Sequence, residues 1–428
     1  MIATIEPQSQ ALSAPVFHTR FTHGRGLRLI TEDGEEYVDA ASGTFNLPLG
    51  YDHPEVVDAV VAQVKRCAHM SSSYAAPYAQ EVLRTLTELA PDGIDAGWMR
   101  DLTGSTANEC AVKIAQKYTG HSDVISFFLS HHGQTAFTTS ISGNAFRREE
   151  FPANRGPYST KVPAPYCYRC HYKSSYPGCG FHCVEAIEDY LRYGGNGSVA
   201  CMIVEPVLGN GGNIVPPPGY FRALSELCRS AGILLIADEV QTGMGRTGHV
   251  FACEALELEA NIITLAKGLG GIGIPVAAVL MESRLDVLRS FDHSFTSGAN
   301  MLALAAAAAT VSVIQREDFL PEVRRKGALL GELLHGLREV HPGIGDVRGI
   351  GMMWGLEMVG PGGEPDVEAT TRIIRAAEER HHLLLRGSRY GFGNVVKVRP
   401  ALVATDDEIR DVVDRLSRAI ADVEGGRA

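Results

Sequence analysis

The chain has no apolar run long enough to cross a bilayer. A spanning helix needs about 18 or more consecutive apolar residues, and the most apolar helical stretch, Met301 to Val313, is mostly alanine and too short. The opening residues, MIATIEPQSQ, lack the charged-then-apolar layout of a secretory leader. Basic charge is in deficit, with 39 Lys and Arg against 50 Asp and Glu and a net charge of -11. That argues against a nucleic-acid surface and a polybasic membrane anchor. Internal repeats are missing, and so are low-complexity tracts apart from the alanine-rich helix. Nine cysteines, an odd number in a chain of this size, argue against a disulfide framework. What is present is an ordinary globular composition, 45% hydrophobic and 21% charged, expected in the cytoplasm. The length of 428 residues predicts two or three domains, or one large α/β unit with a smaller partner.

Residues 1 to about 20 carry no periodicity and read as a loose arm. Alternation from Leu27 to Ala40 around Asp33-Gly34 predicts a hairpin. A helix is expected from His53 to about His69, with Pro54 at its start. From about 80 to 315, helical patterns alternate with short apolar runs: Val124 to Phe128, Ala200 to Val204, Ile233 to Ala237, Ile262 to Ala266 and Val276 to Leu280. Such runs read as central strands of a mostly parallel sheet, whose ligands sit at the carboxyl ends. Beyond 315, helical patterns at Phe319 to Glu339, Asp366 to Glu379 and Asp406 to Asp422 flank strands at Gly351 to Met358 and Val395 to Val398. The expected division is an N-terminal segment 1–75 that joins the small domain, a large domain 76–315 with a cysteine-rich insertion at 163–184, and a small α+β domain 316–428.

Three patterns carry chemistry. The run Ile233 to Ala237 ends in Asp238-Glu239 and a glycine-rich loop, Gln241 to Gly248. A carboxylate at the end of a buried strand needs a cationic partner, or its pKa rises. A protonated pyridine nitrogen is one such partner; a helix cap or an arginine pair is the plainer use. The run Ile262 to Ala266 ends in Lys267-Gly268. Desolvation lowers the pKa of such a lysine and favours imine chemistry with an aldehyde, although a lysine at a strand end can also snorkel into water. Thr103-Gly104-Ser105-Thr106-Ala107-Asn108-Glu109 leads into a helical pattern from Cys110 to Tyr118, with Thr106 and Glu109 at capping-box spacing. Free N–H groups at a helix start beside a glycine suit a phosphate, or simply a capped helix.

In the order phosphate cradle, carboxylate, lysine, the three strengthen one another. With Leu49-Gly50-Tyr51-Asp52-His53-Pro54, His132-Gly133, Val204-Glu205-Pro206, the segments Asp238 to Gly243 and Gly245 to Gly248, Thr264 to Gly268 and Phe295-Thr296, the sequence resembles class III, ω-amino-acid aminotransferases. The resemblance runs from about Gly26 to Leu416. It implies fold type I, the aspartate-aminotransferase type: an α/β large domain with a central mostly parallel sheet, plus a smaller α+β domain. It implies pyridoxal 5'-phosphate as cofactor, held by Lys267 as a Schiff base. Asp238 would pair with the ring nitrogen, Gln241 would sit near the phenolic oxygen, and Glu205 would lie beneath the ring. Gly104, Ser105 and Thr106 would cradle the phosphate, with His131, His132 and Gly133 also at the cofactor. Thr296 would reach the partner subunit's phosphate in a homodimer, or in a tetramer built from it.

The departures concern substrate. His131 stands where the family usually has an aromatic residue stacked on the ring. Gln134 replaces a carboxylate-binding arginine found in many members, and Asn210 replaces a gating glutamate. Near the C-terminus the family's carboxylate-binding arginine aligns with Lys397, with Arg399 two residues on and therefore on the same strand face. Thr44, Lys397 and Arg399 are thus the expected substrate residues, and an amine or amino acid and a 2-oxo acid the expected substrates. The spacing of Cys167, Cys170, Cys179 and Cys183 permits a tetrahedral zinc site, but no metal is expected. Reduced thiols that pack a loop are the simpler reading. Relatives of the same fold that eliminate phosphate, decarboxylate or racemise leave a lyase, decarboxylase or racemase as the alternative reaction.

Overall fold

The computed structural model describes residues 19–71, 74, 77–145, 159–388 and 391–426. The arm expected over the first 20 residues lies almost wholly outside them. The described chain begins with β1 (Phe21–Arg25), β2 (Arg28–Thr31) and β3 (Glu36–Asp39). β2 and β3 form the expected hairpin, closed where the Thr31 N–H donates to the Glu35 carbonyl at 3.0 Å. α1 (Pro54–Arg66) follows, with proline in its first turn, where a missing N–H costs nothing.

The middle of the chain runs α2 (Pro77–Glu88), β4 (Ala96–Asp101), α3 (Gly104–Thr119), β5 (Asp123–Phe127), α4 (Ala136–Ile141), β6 (Ser159–Val162), α5 (His182–Asp189), β7 (Val199–Val204), α6 (Tyr220–Ser230), β8 (Leu234–Asp238), β9 (Ile262–Leu265), β10 (Ala277–Met281) and α7 (Met301–Ile314). Its seven strands form one sheet in the order β4-β10-β9-β8-β7-β5-β6. β6, β5, β7, β8 and β9 are parallel, and β10 runs antiparallel between β9 and β4. β7 to β10 are buried at every position because both faces are covered. Met202, Val204, Leu235 and Ala237 face one core, while Cys201, Ile203, Leu234 and Ile236 face the other. This is the period of two that a strand imposes. Truncating a fully buried member such as Ile236 to alanine costs about 2–5 kcal/mol.

The last part holds α8 (Phe319–Val340), β11 (Ile344–Ile350), β12 (Met353–Met358), α9 (Val367–His381), β13 (Leu383–Leu384), β14 (Arg386–Gly387), β15 (Val395–Val398) and α10 (Asp406–Glu424). A second sheet has the order β11-β12-β15-β14, and a third, β1-β2-β3-β13, ties the N-terminal strands to this region. Leu27 and Val38 share a core with Leu330, Leu356 and Leu416. α1 instead packs with α7, through Val56, Ala306 and Val313. α10 shows why its sequence folds as it does. Thr405 and Glu408 form a capping box, three acidic residues sit in the first turn, and Ile409, Val412, Val413, Leu416 and Ile420 make one buried stripe.

β4 and β11 had no apolar signal. They read Ala-Gly-Trp-Met-Arg-Asp and Ile-Gly-Asp-Val-Arg-Gly-Ile, so glycine and charge interrupt the pattern that neighbouring strands enforce.

Candidate active site

β7, β8 and β9 are adjacent and parallel, so their carboxyl ends open on one side. There lie Glu205, one residue past β7; Asp238, the last residue of β8; and Lys267, two residues past β9. With Gly104, Ser105, His131, His132, Gly133 and Gln241 they line a cavity of about 330 Å³. The crevice rule for parallel sheets places a ligand at this end. A larger cavity, about 750 Å³, opens at the amino ends of β8 and β9 near Leu234 and Asn261. It touches none of these residues, and we assign it no part in the chemistry.

Asp238 is 3% exposed. Its Oδ2 accepts from Asn108 Nδ2 at 2.8 Å and pairs with His132 Nδ1 at 2.8 Å, while Oδ1 accepts from the Val240 N–H at 3.1 Å. Asn108 is fixed in turn: its Nδ2 also donates to the His132 carbonyl, and its Oδ1 accepts from the Thr264 hydroxyl. The carboxylate is therefore held in one orientation at the cavity wall. His132 Nε2 is buried without a hydrogen-bond partner among the described residues.

Lys267 is partly buried, and desolvation lowers its ammonium to about 8. Asp238 and Glu205 oppose that shift, and Arg399 adds to it. Its backbone φ is +42°, a left-handed conformation that a side chain adopts at a cost of about 1–3 kcal/mol and that concentrates at functional sites. Glu205 accepts from the His131 N–H at 2.7 Å and the Gly209 N–H at 3.0 Å. Burial nevertheless pushes its carboxyl up to about 7; His132 lowers it and Asp238 raises it.

The cap of α3 differs from expectation. Thr103, not Thr106, caps it, its hydroxyl accepting from the Thr106 N–H at 3.2 Å. Glu109 instead accepts from the Thr135 hydroxyl. The shift puts Gly104 and Ser105 at the first two helical positions, whose N–H groups have no intrahelical partner and suit an anion. Thr106 does not line the cavity, and its hydroxyl turns back to the Thr103 carbonyl. The cradle has no room for added side chains. A Cβ on Gly133 would stand 2.6 Å from Ser105 Oγ and 2.3 Å from Thr138 Oγ1, and one on Gly104 would stand 2.7 Å from Val240. A phosphorylated pyridine aldehyde fits this donor set: anion-binding amides, a fixed carboxylate, and an amine whose neutral form is within reach of neutral pH.

An adjoining cavity of about 210 Å³ shares Thr44, His131, Gln134, Gln241 and Lys267 and adds Asn210, Lys397 and Arg386. Thr44 and Lys397, expected at the substrate, both line this cavity. Arg399 does not: it lines neither cavity and is spent on Gln241, Gly209 and Asn213. β15 ends at Val398, and Arg399, as deeply buried as Lys397, turns its guanidinium onto these three partners instead of the cavity. Thr296 is exposed and lines neither cavity of its own chain. Two contributors were missed. Asn108 lay inside the quoted motif, one helical turn past Gly104. Arg386 follows a Leu-Leu-Leu run and had no signal beyond being a cation at a strand start.

The four thiols of the 163–184 insertion are free cysteines. Burial raises the Cys167 and Cys183 thiols, and neighbouring thiols of the same group raise them further. Among the described residues, the group of three or more potential ligands within 4.8 Å of one another is Asp101, Cys110 and His293.

Residues 9–420 match the family described as Aminotransferase class-III. The chain is 34% identical over 406 residues to a leucine/methionine racemase of Thermococcus litoralis, covering 92% of this chain and 88% of that protein. It is 34% identical over 407 residues to an acetylornithine aminotransferase of Methanopyrus kandleri, covering 94% and 95%. An amine transaminase from an uncultivated Pseudomonas species, solved with PLP bound, superposes with a TM-score of 0.87 at 29% identity, covering 95% of each chain.

Proposed function

Because the chain belongs to the class III aminotransferases, we propose that Lys267 bonds the cofactor and that Asp238, Glu205 and Gln241 set its reactivity. The protein is an aminotransferase, its cofactor is pyridoxal 5'-phosphate, and its substrates are an amine or amino acid and a 2-oxo acid. The acetylornithine, adenosylmethionine-8-amino-7-oxononanoate and 4-aminobutyrate aminotransferases among its relatives favour amino-group transfer, against the leucine/methionine racemase.

When bound, the cofactor supplies a protonated pyridine ring that draws electrons from the bonds next to the substrate nitrogen. Asp238 keeps the proton on that ring nitrogen, and His132 and Asn108 hold its carboxylate in place. Gly104 and Ser105 anchor the phosphate through the start of α3. Lys267 Nζ, eased toward its neutral form by burial, would hold the cofactor and, once released by the substrate amine, would move a proton to and from the substrate carbon. Glu205 keeps the floor of the site polar. Arg386 and Lys397 offer a cationic end to the adjoining cavity for an acid group. The observation that carries this reading is the meeting of Lys267, Asp238 and the start of α3 in one cavity.

A panel of amines and amino acids, followed by the cofactor's absorbance, tests it. The expected result is conversion that reverses on adding a 2-oxo acid, with carboxylate-bearing donors ahead of simple amines. Inversion of an amino acid with no 2-oxo acid consumed would move the reading to racemisation, and release of CO2 or phosphate to lysis.

The active form is proposed to be a homodimer, with Thr296 serving the partner's phosphate. Its exposure on a turn away from its own cavity supports this, and light scattering with a Thr296→Ala variant tests it. Nine free thiols support a reducing compartment such as the cytoplasm, which fractionation of the source cells would check. Among the described residues no helix is long and apolar enough to cross a membrane.

A further inference from the structure

Arg399 is 1% exposed, and its guanidinium lies 4.0 Å from the centre of the Phe45 ring. One end donates to Gln241 Oε1 at 2.6 Å; the other donates to the Gly209 carbonyl at 3.0 Å and to Asn213 Oδ1. Gly209 leaves the space for this pair, since a Cβ there would stand 2.4 Å from Gln241 Oε1 and 3.1 Å from the guanidinium. A guanidinium only donates. The two ends of an amide are close to the same size and shape, so a partner of fixed polarity decides which way it faces. Gln241 lines both cavities beside Lys267, and its oxygen is the end turned to Arg399, which leaves the NH2 as the end available to face them.

We propose that Arg399 is a positioning residue that fixes the Gln241 amide with its nitrogen toward the cofactor's phenolic oxygen. This rests on the reading that the cofactor is bonded to Lys267 with Gln241 beside that oxygen. A donor there stabilises the anionic oxygen and withdraws density from the neighbouring nitrogen, which then loses its proton at lower pH. Without the lock the amide can turn its own oxygen inward, and two acceptors then face each other.

The test is the pH midpoint of the holoenzyme's visible absorbance change with no substrate present. Arg399→Lys keeps the charge but loses the fork, and should raise the midpoint by about 0.5–1 pH unit. Gln241→Ala should raise it as much, and the double variant no further, because Arg399 acts through Gln241. Lys267, Asp238, Glu205, His131, His132, Arg386, Lys397 and Arg246 also bear on this space and stay unchanged throughout. An unmoved midpoint in Arg399→Lys with an approximately ten-fold higher KM would assign Arg399 to substrate instead. Additive shifts in the double variant would mean that its charge acts directly. Both outcomes overturn the proposal. If Arg399→Lys does not fold, Asn213→Ala loosens the same guanidinium and should shift the midpoint the same way; no shift in that variant overturns it as well. A wild-type protein with no visible band would instead count against the cofactor reading.

Discussion

Lysine 267 should destabilise the cofactor-free protein, and replacing it with methionine should reveal by how much. Burial holds its ammonium at about 8 against an ordinary 10.5. That gap corresponds to about 3 kcal/mol of unfavourable charging in the folded state at pH 7. The folded value lies below the unfolded one. The cost is therefore absent well above pH 10.5, grows as the pH falls from about 10.5 to 8, and is essentially complete at 7. Methionine has similar length, no charge and a flexible shape. Unfolding a chain of 428 residues carries an entropy of about 0.9 kcal/mol per kelvin, so the cofactor-free Lys267→Met variant should melt about 3 °C above the cofactor-free parent at pH 7. At pH 10 the gap should shrink below about 1 °C. Scanning calorimetry at the two pH values measures both. A variant that melts no higher at pH 7, or a gap that persists at pH 10, would refute the claim that the lysine is held desolvated.

Other consequences concern catalysis and cofactor binding. Asp238→Asn removes the charge opposite the ring nitrogen but keeps the side-chain shape, and should cut kcat about 100-fold or more while the cofactor stays attached; full activity in stopped-flow half-reactions would contradict this. Glu205 titrates at about 7, so Glu205→Gln should erase an inflection near neutral pH in the parent's kcat/KM profile, and an unchanged profile would count against the assignment. Gly133 has φ +147° and no room for a methyl group. Gly133→Ala should therefore weaken cofactor affinity about ten-fold or more by equilibrium dialysis, with secondary structure intact by circular dichroism.

The central strands were legible because they are buried on both faces, which leaves a near-continuous apolar run in the sequence. The polar residues at their ends, Asp238 and Lys267, were legible for the same reason: each is the first charge after such a run. β4 and β11 were not, because their conformation is imposed by neighbours across the sheet rather than by their own residues. The cap of α3 was misplaced by three residues. Thr103 and Thr106 both have the chemistry of a cap, and only the backbone decides between them. Arg399 shows a different limit. Two-residue spacing correctly put it on the face of Lys397, yet both lie near Phe45 and only Lys397 reaches the cavity. Sequence spacing gives the side of a strand, not the depth to which a side chain runs.

The whole account stands on a single linkage between protein and cofactor. Reducing the holoenzyme with borohydride and mapping its peptides by mass spectrometry reads that linkage at residue resolution. One pyridoxyl phosphate adduct per chain, on Lys267, is the predicted result. An adduct on another lysine, or none on a protein that still transaminates, would contradict it.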